Sequence, residues 1–357
     1  MALRHQARGG FLAAGCLDLP MAAVYRAPMN GWIIRLLALL VCWLAFPCNC
    51  PAPLIYRPGE GWTYEAVGSS GKWQRARAED QLQVAQAAFD KKDYSLALKA
   101  ARRVVSVWPY SDFAPKASYL VGRCYEAKGK DEKAFKQYQK LVSKSPRLDN
   151  YDEIVQRQFD ITNKYLGGKW FKLWGVIPFF PSMDRTAEMY RQIVSTGPYS
   201  EVAPQAQLKI GAAREKQSNY ALAVKAYELA ADRYNDRPQV AADALFKQAN
   251  AHQKQAQTAD YDQTAAGQAI AVFSDFMAYY PNDPRGDEAQ KIIASLKTEQ
   301  ARGNFQTAKF YEKYGKLAGA LVYYNEVLLT DPNSQYANDA KERIDTLKKR
   351  IQGPTVQ

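Results

Sequence analysis

From about residue 75 onward, apolar positions return every three or four residues, the interval that gathers them on one face of an α-helix. A longer pattern lies over this one. A small residue is followed twelve positions later by Pro, with an aromatic or small residue four positions into the interval, at Ala97/Ala101/Pro109, Ala134/Tyr138/Pro146, Ala269/Phe273/Pro281 and Ala320/Tyr324/Pro332. Looser copies stand at Thr186/Tyr190/Pro198 and Ala223/Tyr227, and a further small residue precedes four of the starts by twelve positions: Ala85, Gly122, Gly211 and Ala308. Small residues at these places let two antiparallel helices approach, the aromatic fills the remaining gap, and Pro stops the second helix. One such pair cannot bury its apolar face without neighbours, so the repetition predicts a stacked array. The expected fold is all-α: an α-solenoid of about six helix pairs, with no sheet. The pairs are expected at about 75–108, 112–145, 149–197, 201–235, 239–280 and 284–331, with a capping helix near 334–351.

The segment before the array reads differently. Residues 36–46 form an eleven-residue apolar run between Arg35 and Pro47, too short to span a bilayer comfortably and of the size of a secretory-signal core. Residues 1–50 are therefore expected to be a leader. Met29 opens a compact signal of its own, which leaves both Met1 and Met29 open as the start. Residues 51–74, rich in Pro and Gly, read as an extended tether, the array as 75–351, and 352–357 as a tail. Removing the leader takes away Arg4, Arg8, Arg26 and Arg35 against Asp18, a net +3, so the rest keeps +9 of the chain's +12. The Lys and Arg are scattered over helix surfaces, and an exported chain does not meet nucleic acid, which is excluded as a partner.

Of five Cys, Cys124 alone lies within the expected array, inside a helix, so no disulfide framework is available there. Cys48 and Cys50 sit where a bacterial lipoprotein signal places its acylated cysteine, and both are candidate lipidation sites. The residues before them, Ala-Phe-Pro and Pro-Cys-Asn, lack the small side chains that lipoprotein processing prefers. Catalysis finds no support. The only histidine beyond the leader is His252, in a polar stretch that reads as a solvent-facing helix, and no phosphate-binding glycine loop or metal-ligand cluster accompanies it. The chain is expected to be no enzyme and to need no cofactor.

Binding candidates remain. On the first helices of the opening pairs, Glu79, Leu82, Gln86 and Phe89, then Lys116, Tyr119, Arg123 and Glu126, share a face turned from the small residues. A mixed apolar and charged stripe suits an extended peptide. Ordinary packing between repeats accounts equally for Leu82 and Phe89. An insert at 167–181 concentrates Trp170, Phe171, Trp174, Phe179 and Phe180 with no acidic residue. It reads either as a local core plug or as a contact for a partner or a membrane surface, where Lys169 and Lys172 would meet anionic groups.

Gln268–Phe276, Tyr280–Asp283, Ala308–Gly315 and Asp331–Ser334, taken in order and together with the export signal, resemble the closing motifs of the outer-membrane protein assembly factor BamD family, tetratricopeptide-type lipoproteins. The resemblance covers roughly 75–351, and the chain is about one motif longer than that family's best-known members. It implies tetratricopeptide-like helix pairs at the periplasmic face of the outer membrane, acting as a scaffold of the β-barrel assembly machinery. It also implies docking on a BamA-like barrel subunit through the C-terminal part and handling of unfolded outer-membrane proteins by the N-terminal motifs. A free periplasmic tetratricopeptide adaptor of envelope or cell-division machinery is the alternative.

Overall fold

The computed structural model describes residues 54–64, 73–145, 147–173, 177–258 and 263–352. Met29, Cys48, Cys50 and Trp174 lie outside them. Thirteen helices and two hairpins make up the described chain: β1 Leu54–Arg57, β2 Gly61–Tyr64, α1 Ala78–Asp90, α2 Tyr94–Val107, α3 Phe113–Ala127, α4 Asp131–Lys144, α5 Tyr151–Leu166, β3 Phe171–Leu173, β4 Ile177–Phe180, α6 Met183–Thr196, α7 Ala203–Glu215, α8 Tyr220–Arg233, α9 Pro238–Thr258, α10 Gln263–Tyr279, α11 Gly286–Lys313, α12 Leu317–Thr330 and α13 Ala337–Gln352. Helices α1 to α12 form the six expected antiparallel pairs, and α13 packs on α12 as the closing helix.

The repeat pattern acts as its chemistry requires. A methyl group on Gly122 would lie 2.2 Å from the ring of Tyr138, and one on Gly211 would lie 2.3 Å from that of Tyr227. At these two crossings only glycine lets the first helix meet the buried aromatic of the second. Five first helices, α1, α3, α5, α7 and α11, close alike: the residue at positive φ donates its N–H three residues back and the next N–H reaches five back, the bonding of an αL cap. Gly129, Gly168 and Gly315 hold that place, and so do Lys92 at φ 61° and Ser218 at φ 57°. Between pairs, Ser111, Ser200 and Ser334 each turn a hydroxyl back to the carbonyl at the end of the preceding helix, at 3.0, 2.8 and 2.9 Å.

A polar ladder links neighbouring pairs. Tyr138 donates to Glu126 at 3.0 Å, Tyr227 to Glu215 at 2.6 Å and Tyr324 to Glu312 at 2.8 Å. Each of these carboxylates also meets a cation of the next helix: Arg157 at 3.4 Å, Lys254, and Arg343 at 3.6 Å. Every Glu thus joins three successive helices, satisfying a tyrosine hydroxyl that burial would otherwise strand.

Three findings depart from the sequence expectations. Two short hairpins are present where no sheet was expected. The first occupies part of the stretch read as a tether and is docked, not extended. The carboxylate of Glu60 accepts from the N–H of Ala78 at 2.9 Å, and Gly59 accepts from the N–H of Asp112 at 2.7 Å. Arg77, the N-cap of α1, makes no side-chain cap bond, and Glu60 supplies from a distance the acceptor that this helix end lacks. His252, expected to face solvent, is only 7% exposed, because α9 is flanked by α8 and α10. Its Nδ1 is buried without a hydrogen-bond partner among the described residues, and burial, opposed in part by Glu228, lowers its pKa.

Candidate functional site

The richest polar constellation lies across α3, α4 and α5 in the N-terminal half. Tyr119, Arg123 and Glu126 follow one another at four- and three-residue spacing on α3, and Glu153 and Arg157 do so on α5. Tyr119 donates to Glu153 at 2.6 Å, and Arg157 donates to the same oxygen from Nε and Nη2 at 3.0 and 2.9 Å. Arg157 also reaches Glu126 at 3.4 Å, and Arg123 donates to the Tyr119 oxygen at 3.1 Å. Its guanidinium lies over the ring of Phe89 on α1, 5.5 Å from the centroid, a cation–π contact that extends the cluster across a third first helix.

Two cations and two carboxylates make the cluster balanced. The hydrogen bond from Tyr119, followed by the contacts of Arg157 and Arg123, holds the Glu153 carboxyl below its ordinary range. Burial, with Glu126 adding to it, pushes the Tyr138 hydroxyl well above the ordinary tyrosine range. Both groups keep one protonation state near neutrality, so the site offers fixed donors, acceptors and ring faces, not proton transfer. Cys124, buried behind it, has its thiol pushed up to about 11 by burial and is no activated nucleophile.

The predicted stripe is brought together in part. Phe89, Tyr119, Arg123 and Glu126 meet in this cluster. Leu82 does not: it packs against the core on the α2 and α3 sides. Glu79 stands at the start of α1 beside Arg77, at 3.7 Å, with its N–H directed at Glu60. Gln86 is exposed and bonded to Asp90 at 2.9 Å, and Lys116 is exposed near the start of α3. Sequence reasoning missed Glu153 and Arg157. Their four-residue spacing and the twelve-residue step from Glu126 to Tyr138, repeated at 215/227 and 312/324, were the available signals.

The aromatic insert divides. Phe171 is 2% exposed and stacks on Tyr165, 4.3 Å between centroids, under the guanidinium of Arg185, so this ring belongs to the core and not to a contact surface. Lys169, offered as a partner for anionic groups, is ion-paired with the buried Asp131. Trp170 and Phe180 remain 52% and 43% exposed. Phe179 has its backbone in β4, and its side chain lies outside the described residues, as does that of Lys172. Among the described residues there is no group of side chains arranged to hold a metal ion, and no helix long and apolar enough to cross a membrane.

Antiparallel pairs of this length, closed by αL caps and crossed at Gly or Ala against an aromatic, define a tetratricopeptide-type repeat array, a class that mediates protein–protein contacts. Residues 116–147 match the tetratricopeptide repeat model, and residues 182–331 match the family described as outer membrane lipoprotein (YfiO). Among solved structures, the chain is similar to the C-terminal part of a TPR repeat-containing protein from Cytophaga hutchinsonii, with 17% identity, 74% of this chain and 87% of that one covered, and a TM-score of 0.33. It is similar also to a tetratricopeptide repeat protein from Parabacteroides merdae, with 13% identity, 76% and 99% covered, and a TM-score of 0.30. No curated protein sequence matches the chain.

Proposed function

We propose that the chain is a non-enzymatic scaffold of outer-membrane β-barrel assembly. In this reading it is held at the periplasmic face of the outer membrane and docks on a BamA-like barrel subunit, while the stripe around Tyr119 and Arg123 handles unfolded outer-membrane proteins. The observation that carries the reading is the match of residues 182–331, α6 to the end of α12, to the outer membrane lipoprotein family, on an array whose other half presents a fixed polar and aromatic stripe. Alternating rings and paired charges are the features by which a groove accepts an extended chain: apolar side chains seat on rings such as Phe89, and backbone amides find acceptors and donors. A membrane contact by Trp170 and Phe180 would act beside docking, since one short aromatic loop binds a bilayer only weakly.

Affinity purification from membranes, with mass spectrometry of the partners and of the mature N-terminus, tests the reading. Sedimentation with outer membrane and co-purification of a large barrel protein are expected. Recovery in the soluble periplasm with envelope or division proteins would contradict it in favour of the free adaptor, and an acylated Cys48 or Cys50 at the mature N-terminus would identify the anchor.

A further inference from the structure

The second helices carry a groove that the stripe does not use. Helices α2 and α4 flank it, α3 forms its floor, and its volume is about 1020 Å³. Lys99, Arg102 and Arg103 line one rim from α2, and Lys140 and Lys144 line the other from α4. No Asp or Glu lies among the described lining residues. Lys99, Lys140 and Lys144 are exposed and have no ion pair among the described residues. Arg102 donates to the hydroxyl of Tyr125, and Arg103 covers the Trp108 ring at 5.8 Å, while its buried Nε has no hydrogen-bond partner among the described residues. Between the rims the lining is apolar at Val121 of α3 and Leu141 of α4, and Trp73 and Tyr110 also line the groove. A smaller groove of about 400 Å³ repeats the arrangement between α6 and α8, with Arg191, Lys225 and Arg233 and again no described carboxylate in its lining.

We propose that the α2–α4 groove binds an extended acidic segment of a partner polypeptide. Five cations without a local counter-charge repel one another and favour an anion between them. Two facing rims beside accessible rings match a chain that alternates side chains, seating apolar groups on Trp73 and Tyr110 and directing carboxylates to either rim. A bilayer presents its phosphates in one plane and cannot enter a groove between two helices. The inference goes beyond the assembly-scaffold reading and does not rest on it, since it concerns another face and holds for any partner with such a segment.

The test measures fluorescence anisotropy of a labelled peptide of alternating Glu and Leu with the full chain, beside a Lys/Leu peptide and phosphatidylglycerol vesicles. The acidic peptide binds, its affinity falls with added salt, and the variant K99Q/K140Q/K144Q weakens it about tenfold. A control, K291Q/K297Q/K313Q, removes the same charge from exposed positions on α11 and shifts affinity less than about twofold. All six positions are exposed, so both variants keep the fold, which circular dichroism verifies. Unchanged affinity in the groove variant, equal loss in the control, or binding of vesicles without binding of the acidic peptide each overturns the proposal.

Discussion

Single residues decide how closely the helices approach. Gly122→Ala gains about 1 kcal/mol of helix propensity. Against this, the new methyl meets three ring atoms of Tyr138 at 2.2 to 2.8 Å. That ring is fully buried and its hydroxyl is held by Glu126, so it cannot swing away. We expect a net loss of about 1–3 kcal/mol, read as a lower urea midpoint. A midpoint equal to or above the parent's would contradict the assigned crossing. His252 gives a pH dependence with a definite sign. Its folded pKa lies below the unfolded value of about 6.5, so protonation favours the unfolded chain; the neutral imidazole's stability is present above about pH 6.5 and lost on acidification. The melting temperature should fall between pH 7.5 and 5.5 by more in the parent than in His252→Leu, whereas parallel profiles would place the acid sensitivity elsewhere.

At the scale of elements, the αL caps show a local rule set aside at two places. Gly fills the position after α3, α5 and α11, yet Lys92 and Ser218 fill it after α1 and α7 at positive φ. Lys92→Gly should raise stability by up to about 1 kcal/mol, visible as a higher melting temperature; a lower one would mean that the Lys92 side chain contributes more than its backbone costs. The insert supplies a paired contrast. Phe171→Ser removes a stacked core ring and should cost about 3–5 kcal/mol, while Trp170→Ser leaves the melting temperature within about 1 °C. Equal effects on stability would sink the division of the insert into core and surface.

The helix pairs were legible because Ala134, Tyr138 and their counterparts recur at a spacing that a helix crossing explains. The docked hairpin was not, because Pro58, Gly59 and Gly61 read locally as loop, and the need that Glu60 meets, the bare start of α1, lies 18 residues away. His252 was misread for a related reason: a polar run suggests water, and only contact with α8 and α10 turns that face inward. In the candidate site the α3 half was readable from its spacing. Glu153 and Arg157 acquire meaning only once α5 is placed beside α3.

For the molecule as a whole, Tyr–Glu–cation ladders join the second pair to the third, the fourth to the fifth and the sixth to the closing helix, and the first of them carries the stripe around Tyr119. In the proposed function this stripe receives unfolded outer-membrane proteins. Photo-crosslinking tests it most directly, with a photoreactive amino acid placed in turn at Gln86, Lys116 and Arg123, and at Lys297 and Leu329 on the distal helices. Crosslinks to unfolded barrel-protein segments are expected from the first three positions, lost when the segment is allowed to fold beforehand. Crosslinks from Lys297 or Leu329 with none from the stripe would contradict it.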